Sequence, residues 1–208
     1  MTLLALEPWE PGPETVLRSA VGHRLREAGA RFERRGGWEV AAAVPGEEER
    51  LGTAAFTDAS HLGKLEQRGG SAPAESAERA VIEISPGRWI VLCEWSSRAA
   101  TAAELEAAGP RMVLDLSGAW TILLLGGPRA DRLLRRLGPV VAVPGAGQIA
   151  GVPGRVTRRG ELLLVLTPTE YGQHVWDFCA DLCLPLGGGP VGFDALAGPS
   201  GDALLVGA

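Results

Sequence analysis

The sequence predicts an α+β fold with antiparallel sheets, and three observations carry that expectation. From Met112 onward the patterning reads as two strands, a helix, three strands and a helix. The connections between those strands are too short for the crossover that a parallel pair requires. Glycine and proline are abundant, 29 and 15 among 208 residues, which suits turns between short strands better than a helical bundle. A doubly wound nucleotide-binding sheet is thereby excluded.

Residues 14–28 place Val16, Leu17, Ala20, Val21, Leu25 and Ala28 at helical spacing, predicting a helix. Residues 31–40 read as a hairpin around Gly36-Gly37. Pro45 with Glu47, Glu48 and Glu49 starts a short helix, since proline and acids suit a helix N-terminus. Residues 54–57 and 62–67 are short strands, and 69–78 is a small, polar loop. Residues 80–84 and 88–94 form strands around the turn Ser85-Pro86-Gly87, and 100–108 is an Ala- and Glu-rich helix. In the second half, strands at 112–116 and 120–125 are joined by Ser117-Gly118 and expected to pair. A helix opens at Pro128 with Ala130, Leu133, Leu134 and Leu137 inward. Strands follow at 140–143, 148–157 (interrupted by Pro153-Gly154) and 162–167. Residues 169–184 complete the pattern as an amphipathic helix with Val175, Trp176, Cys179 and Leu182 inward. Trp120 and Trp176 are both expected to be largely buried.

The charge balance, 20 Lys+Arg against 25 Asp+Glu, argues against nucleic-acid binding as the main role. Cys93, Cys179 and Cys183 are an odd set without framework spacing, which predicts a reducing compartment. Residues 1–10 lack a basic region ahead of Leu3-Leu4-Ala5-Leu6, so no secretory signal is read there. The apolar runs are strand-sized, so a membrane span is not expected and the protein is placed in the cytoplasm.

Few residues announce chemistry. Gly187-Gly188-Gly189 precedes Pro190 rather than a phosphate-cradling helix, and reads as a turn. Cys179, Cys183 and His174 share one helix, which supplies no fourth metal ligand, so a zinc site is set aside. Asp58, Ser60 and His61 stand too close in sequence for a triad, which assembles from separate segments. His23 sits among Arg24 and Arg26 on a solvated face. Six tryptophans are read mainly as packing, although flat rings could also line a slot for a pterin-like ligand.

Several segments in order resemble one family, the folate-binding aminomethyltransferases typified by the glycine-cleavage T-protein. Gly29-Ala30-Arg31-Phe32 and Gly37-Trp38-Glu39-Val40 resemble its opening strands. Asp58-Ala59-Ser60-His61-Leu62-Gly63 resembles its D-x-S-H-M-G element, with leucine in place of methionine. Gly127-Pro128-Arg129-Ala130 is similar to its strand-to-helix turn, and the stretch from Trp176 through Leu196 to the end of its folate domain. The resemblance implies a duplicated ββαβββα architecture over residues 29–197, as two packed halves at roughly 29–110 and 111–197. An N-terminal segment and helix (1–28) and a tail (198–208) flank it, with no C-terminal barrel domain. The short form resembles the gamma subunit of heterotetrameric sarcosine oxidase.

The chain departs from the family pattern where the chemistry should be. Glu94 falls at the family's asparagine position, Thr101 at its catalytic carboxylate and Leu164 at the second glutamate of its folate clamp. Threonine cannot act as the carboxylate, and leucine cannot make a charged bond to a pterin edge. The cysteine signature of the iron–sulfur-repair branch is absent. The expectation is a non-catalytic binding or structural subunit of a one-carbon or amine-metabolising complex, with partner subunits and no nucleic acid or membrane. Tetrahydrofolate, bound weakly or not at all, would contact Asp58, Leu62, Glu94 and Trp120. The alternative is a tetrahydrofolate-dependent aminomethyl- or methyltransferase in which Glu94, Asp58 or Glu161 supplies the acid. A third reading keeps the fold with an unrelated ligand or none.

Overall fold

The computed structural model describes residues 15–76, 78–139 and 142–201. The first helix, α1 (Gly22–Glu27), is shorter than the span predicted over 14–28. The backbone of Leu17 is instead engaged with the hairpin: its N–H donates to Gly37 O and its carbonyl accepts from Glu39 N. That hairpin is β1 (Arg31–Arg35) and β2 (Trp38–Ala43). Gly36 and Gly37 both adopt positive φ, 55° and 88°, as a tight two-residue hairpin turn requires. The helix α2 (Glu47–Leu51) begins two residues after Pro45, with three glutamates in its first turn.

The chain continues through β3 (Ala55–Asp58), β4 (Gly63–Arg68), β5 (Arg79–Ser85), β6 (Arg88–Cys93) and α3 (Arg98–Ala107). Next come β7 (Met112–Asp115), β8 (Trp120–Gly126), α4 (Ala130–Leu137), β9 (Gly145–Ile149), β10 (Val152–Arg159) and β11 (Leu162–Pro168). A 3-10 turn (Thr169–Tyr171) leads into α5 (Gly172–Cys183), and β12 (Gly189–Pro190) and α6 (Phe193–Ala197) complete the described chain. The stretch 148–157, expected as one strand, is two strands folded back on each other. The break falls at Ala150-Gly151, both at positive φ, and not at Pro153-Gly154. Of the strand expected at 140–143, Val140 and Val141 lie outside the described residues, and Ala142 and Val143 belong to no strand.

The fold is α+β, with a two-stranded, a six-stranded and a four-stranded sheet. Strand pairs are antiparallel except for the short contact between β12 and β3. The six-stranded sheet runs β12-β3-β8-β11-β10-β9, and the four-stranded sheet runs β5-β6-β4-β7. One expectation is corrected here: β7 and β8 do not pair with each other. β7 joins β4 and β8 joins β3, so strands joined by a short turn enter different sheets. The sequence of β3, β4, β5, β6 and α3 is echoed by β7, β8, β10, β11 and α5, and each series gives its first strand to the other's sheet.

Two apolar layers result from the alternation along β8 and β11. Leu123, Leu125, Leu163 and Val165 face α4 and α5, where they meet Leu133, Leu134, Val175, Trp176 and Cys179. Ile122, Leu124, Leu162, Leu164 and Leu166 face the other sheet and pack with Ile82, Ile90 and Leu92. Trp176 is 3% exposed and meets Phe56 edge-on at 4.7 Å. Trp120 is only half-buried at the fringe of the inter-sheet layer, a correction to its expected burial. Its position at the start of β8 leaves one side of the indole uncovered. Trp176→Ala should therefore cost about 3–5 kcal/mol in urea denaturation, and Trp120→Ala distinctly less. Equal losses would mean that the indole of Trp120 is as fully packed as that of Trp176.

Candidate functional site

The residues singled out from sequence converge on the segment between β3 and β4. This segment must carry the chain from one sheet to the other within four residues, and its polar groups serve that crossing. Asp58 Oδ1 accepts from Ser60 N (3.1 Å) and Ser60 Oγ (2.5 Å). Ser60 Oγ also accepts from Ile122 N at 3.1 Å, which ties the crossing to β8. Lys64, with no exposed surface, donates from Nζ to Ser60 O (2.7 Å) and Leu62 O (2.9 Å). Burial pushes the Asp58 carboxyl above the usual carboxylate range, against the hydrogen bonds from Ser60 and Ser19 and the charge of Lys64.

Beside this turn lies a pocket of about 250 Å³. The β1–β2 turn gives Arg35 and Gly36, the crossing gives His61 and Leu62, and the exit of β6 gives Glu94, Trp95 and Ser96. Phe193, Pro199 and Ser200 close it. His61 is 9% exposed and meets the Phe193 ring edge-on at 4.5 Å. Burial, with the nearby charges of Lys64 and Arg35, brings its pKa down to about 3, so the imidazole is neutral throughout the physiological range. Arg35 is already committed, gripping both oxygens of Asp194 at 2.6 and 2.8 Å and donating to Glu33. Trp95 is held between the Arg98 guanidinium, 3.7 Å above its ring, and Trp38, edge-on at 5.3 Å. Glu94 is exposed at the mouth, where Ser96 Oγ donates to it.

Of the four residues expected to contact a ligand, Leu62 and Glu94 line this pocket, while Asp58 and Trp120 do not. Asp58 is turned into the crossing by Ser60, and Trp120 stands against the inter-sheet layer. Thr101 is buried on α3 and its hydroxyl donates to Ser97 O at 3.0 Å, one turn back. Leu164 is fully buried between the sheets, paired across from Leu124. Sequence reading passed over His61 as a pocket residue and Lys64 altogether. The strand of the latter reads Gly63-Lys64-Leu65-Glu66-Gln67-Arg68, polar at most positions, so no local signal marks this lysine as buried. His174, weighed earlier as a ligand, is hydrogen-bonded through Nε2 to Ala150 O at 2.8 Å. Among the described residues, no three His, Cys, Asp or Glu side chains gather as a metal site.

Lys64 makes the crossing pH-sensitive. Burial draws its ammonium down to about 8 from an ordinary 10.5. Between those values the unfolded chain holds a proton that the folded protein has released, so this group's contribution to stability improves as pH rises through that window. Lys64→Met should remove that component. Urea midpoints at pH 7.5 and 10 check it: an identical pH slope in the variant would assign the effect to another group.

No family model matches the sequence, and no curated protein matches it. Solved structures do. The crystal structure of the glycine cleavage system aminomethyltransferase T from Bartonella henselae superposes with a TM-score of 0.67 at 16% identity. That match covers 87% of this chain and 61% of the other, so the chain spans about three fifths of that protein. A chain of the heterotetrameric sarcosine oxidase from Corynebacterium sp. U-96, in complex with pyrrole 2-carboxylate, superposes with a TM-score of 0.61 at 19% identity. There the match covers 82% of this chain and 96% of that one. The fold expected from the motif order is present: the protein has a T-protein-like α+β fold.

Proposed function

We propose that the protein is a non-catalytic, T-protein-like subunit of a heteromeric complex in one-carbon or amine metabolism, working in the cytoplasm. The observation that carries this reading is the state of the space between the two large sheets. Ile122, Leu124, Leu162, Leu164 and Leu166 from one side meet Ile82, Ile90 and Leu92 from the other. That layer is mostly aliphatic, and its unpartnered polar atoms are few, Thr57 Oγ1 and the Trp38 indole N–H, so a pterin buried there would leave most of its polar groups unpaired and pay their desolvation penalty. The pocket beside His61 lies at the margin of that layer and shares Leu62, Trp95 and Phe193 with it. It presents a neutral imidazole, a guanidinium committed to Asp194 and, at its mouth, the single exposed carboxylate of Glu94.

Membership of a complex is supported by the sarcosine oxidase match, which covers nearly all of one chain of a heterotetramer. Cys93, Cys179 and Cys183 are free and buried thiols, in keeping with a reducing cytoplasm. Burial pushes the Cys179 and Cys183 thiols well up, the latter to about 12, so neither serves as a nucleophile at neutral pH.

The purified protein should show no aminomethyl- or methyltransferase turnover at saturating tetrahydrofolate, and calorimetry should detect no tight folate binding. Leu164→Glu should not create a folate grip but should destabilise the fold, because it places an unpaired carboxylate in the inter-sheet layer. Robust turnover by the unaltered protein would overturn the reading and direct attention to Glu94 as the acid.

A further inference from the structure

We propose that the outer face of α4 is a docking surface for an acidic segment of a partner polypeptide. Elsewhere on the protein most arginines are matched by carboxylates; among the described residues Arg50 and Arg155 instead bond to backbone carbonyls, and Arg111 has no ion pair. Arg18 meets Glu39, Arg79 meets Glu104, Arg98 meets Asp115, and Arg68 and Arg88 share Glu66. On α4 that matching stops. Arg132, Arg135 and Arg136 are exposed and have no carboxylate partner among the described residues. Arg129, which precedes the helix, spends one nitrogen on Leu186 O at 2.8 Å and has no carboxylate partner among the described residues. The helix has a single acid, Asp131, and Arg158 of β10 takes it.

Helix physics explains only part of this. Arg135 and Arg136 in the last turn complement the negative end of the helix dipole. Arg129 at the N-cap and Arg132 in the first turn stand at the positive end, where the dipole disfavours cations. An ordinary solvated helix of this composition would also space glutamates three or four residues from its arginines. Four guanidinium groups along a helix about 12 Å long therefore concentrate positive charge on a chain whose net charge is −5.

Two features favour a polypeptide as the occupant. The patch is short and isolated, whereas a nucleic-acid surface requires basic groups tracking a backbone, and the overall charge opposes a polyanion. The hydrogen bond from Arg129 to Leu186 also joins the patch to the turn bearing Leu184, the most exposed of the large hydrophobic residues described, at 77%. A guanidinium cluster beside one protruding leucine matches a protein interface, with an apolar anchor and charged surroundings. The existence of a partner rests on the subunit reading above; the chemistry of the surface rests on α4 alone.

The test uses a fluorescein-labelled dodecaglutamate peptide, a 20-base-pair DNA duplex and vesicles containing phosphatidylserine as probes of the intact protein. The peptide should bind at 50 mM KCl and weaken at least fivefold at 300 mM, as screening of exposed charges requires. The triple variant Arg132→Glu/Arg135→Glu/Arg136→Glu should lose at least tenfold. Arg18→Glu/Arg31→Glu/Arg111→Glu, with the same change in net charge, should stay within twofold. The milder Arg132→Gln/Arg135→Gln/Arg136→Gln guards against misfolding and should lose at least threefold. Equal loss in the control triple, no peptide binding, or tighter binding of DNA or vesicles than of peptide would overturn the proposal. Because folate and turnover do not enter this assay, its failure is distinct from failure of the subunit reading.

Discussion

Both large sheets depend on strands that cross from one to the other, and the two crossings are stitched together where they pass. Between β3 and β4 the chain traverses residues 59–62; between β7 and β8 it traverses 116–119. Ala59 N donates to Ile122 O and Ser60 Oγ accepts from Ile122 N, while Leu116 N donates to Lys64 O and Lys64 N to Ser117 Oγ. Each crossing is therefore bonded to the strand into which the other one leads. In a buried location this is a necessity, since a chain leaving a sheet abandons its ladder partners. The Lys64 ammonium completes the arrangement by donating to two carbonyls of the turn that Asp58 holds from the opposite side. A slip of one residue in either pairing would turn the apolar side chains of β8 or β4 to the wrong face and break these bonds together.

This constraint also determines where a ligand could be accommodated. Side chains of β8 and β11 alternate between two layers, and the one between the sheets is occupied by branched aliphatics from both walls. Open space is displaced to the periphery, at the pocket beside His61 and at a second cavity of about 320 Å³ between β5 and the β9–β10 ribbon. The second is lined largely by Ile82, Ile84, Val156 and Leu166, with Arg155 donating to Ile84 O across it. Each has one glutamate in its lining, Glu94 beside His61 and Glu83 in the second cavity. The D-x-S-H element, which sequence motifs mark as a ligand site, here serves the crossing with three of its side chains or backbone groups and gives the pocket only His61 and Leu62.

The sequence made the element types legible because the governing signals are local. Gly36-Gly37 and Pro86-Gly87 fix their hairpins by turn geometry, and the alternation of β8 and β11 identifies strands. Pairing was less legible. Ser117-Gly118 looks like any short hairpin turn, and the partner choice of β7 is decided by β4, nearly fifty residues earlier in the chain. The N-terminal helix was overestimated for the same reason, since Leu17 finds better hydrogen bonds on the hairpin than in a helix. At the site, the chemical type of each residue was readable but its direction was not. Asp58 and Trp120 are polar or aromatic residues in or next to strands, and only the fold reveals that one faces a crossing and the other an apolar layer.

The departures at Thr101 and Leu164 have a common physical meaning when placed in the fold. Both are buried, and each is satisfied without a ligand: the Thr101 hydroxyl by Ser97 O, the Leu164 side chain by neighbours on both sheets. A vacant ligand site would leave polar groups without partners or walls without contacts, at a cost that a bound ligand normally offsets. Restoring an acid at position 101 alone would bury an unpaired charge against Cys93 and the α3 backbone; restoring one at 164 alone would do so between the sheets. An acid at position 164 would find room only if the inter-sheet layer opened at the same time, which requires several smaller side chains at once. The interior still holds buried polar atoms without partners, the Trp38 indole N–H and the hydroxyls of Thr57, Thr121 and Thr167, and the exposed arginines of α4 with the leucine beside them add unsatisfied groups on the outside.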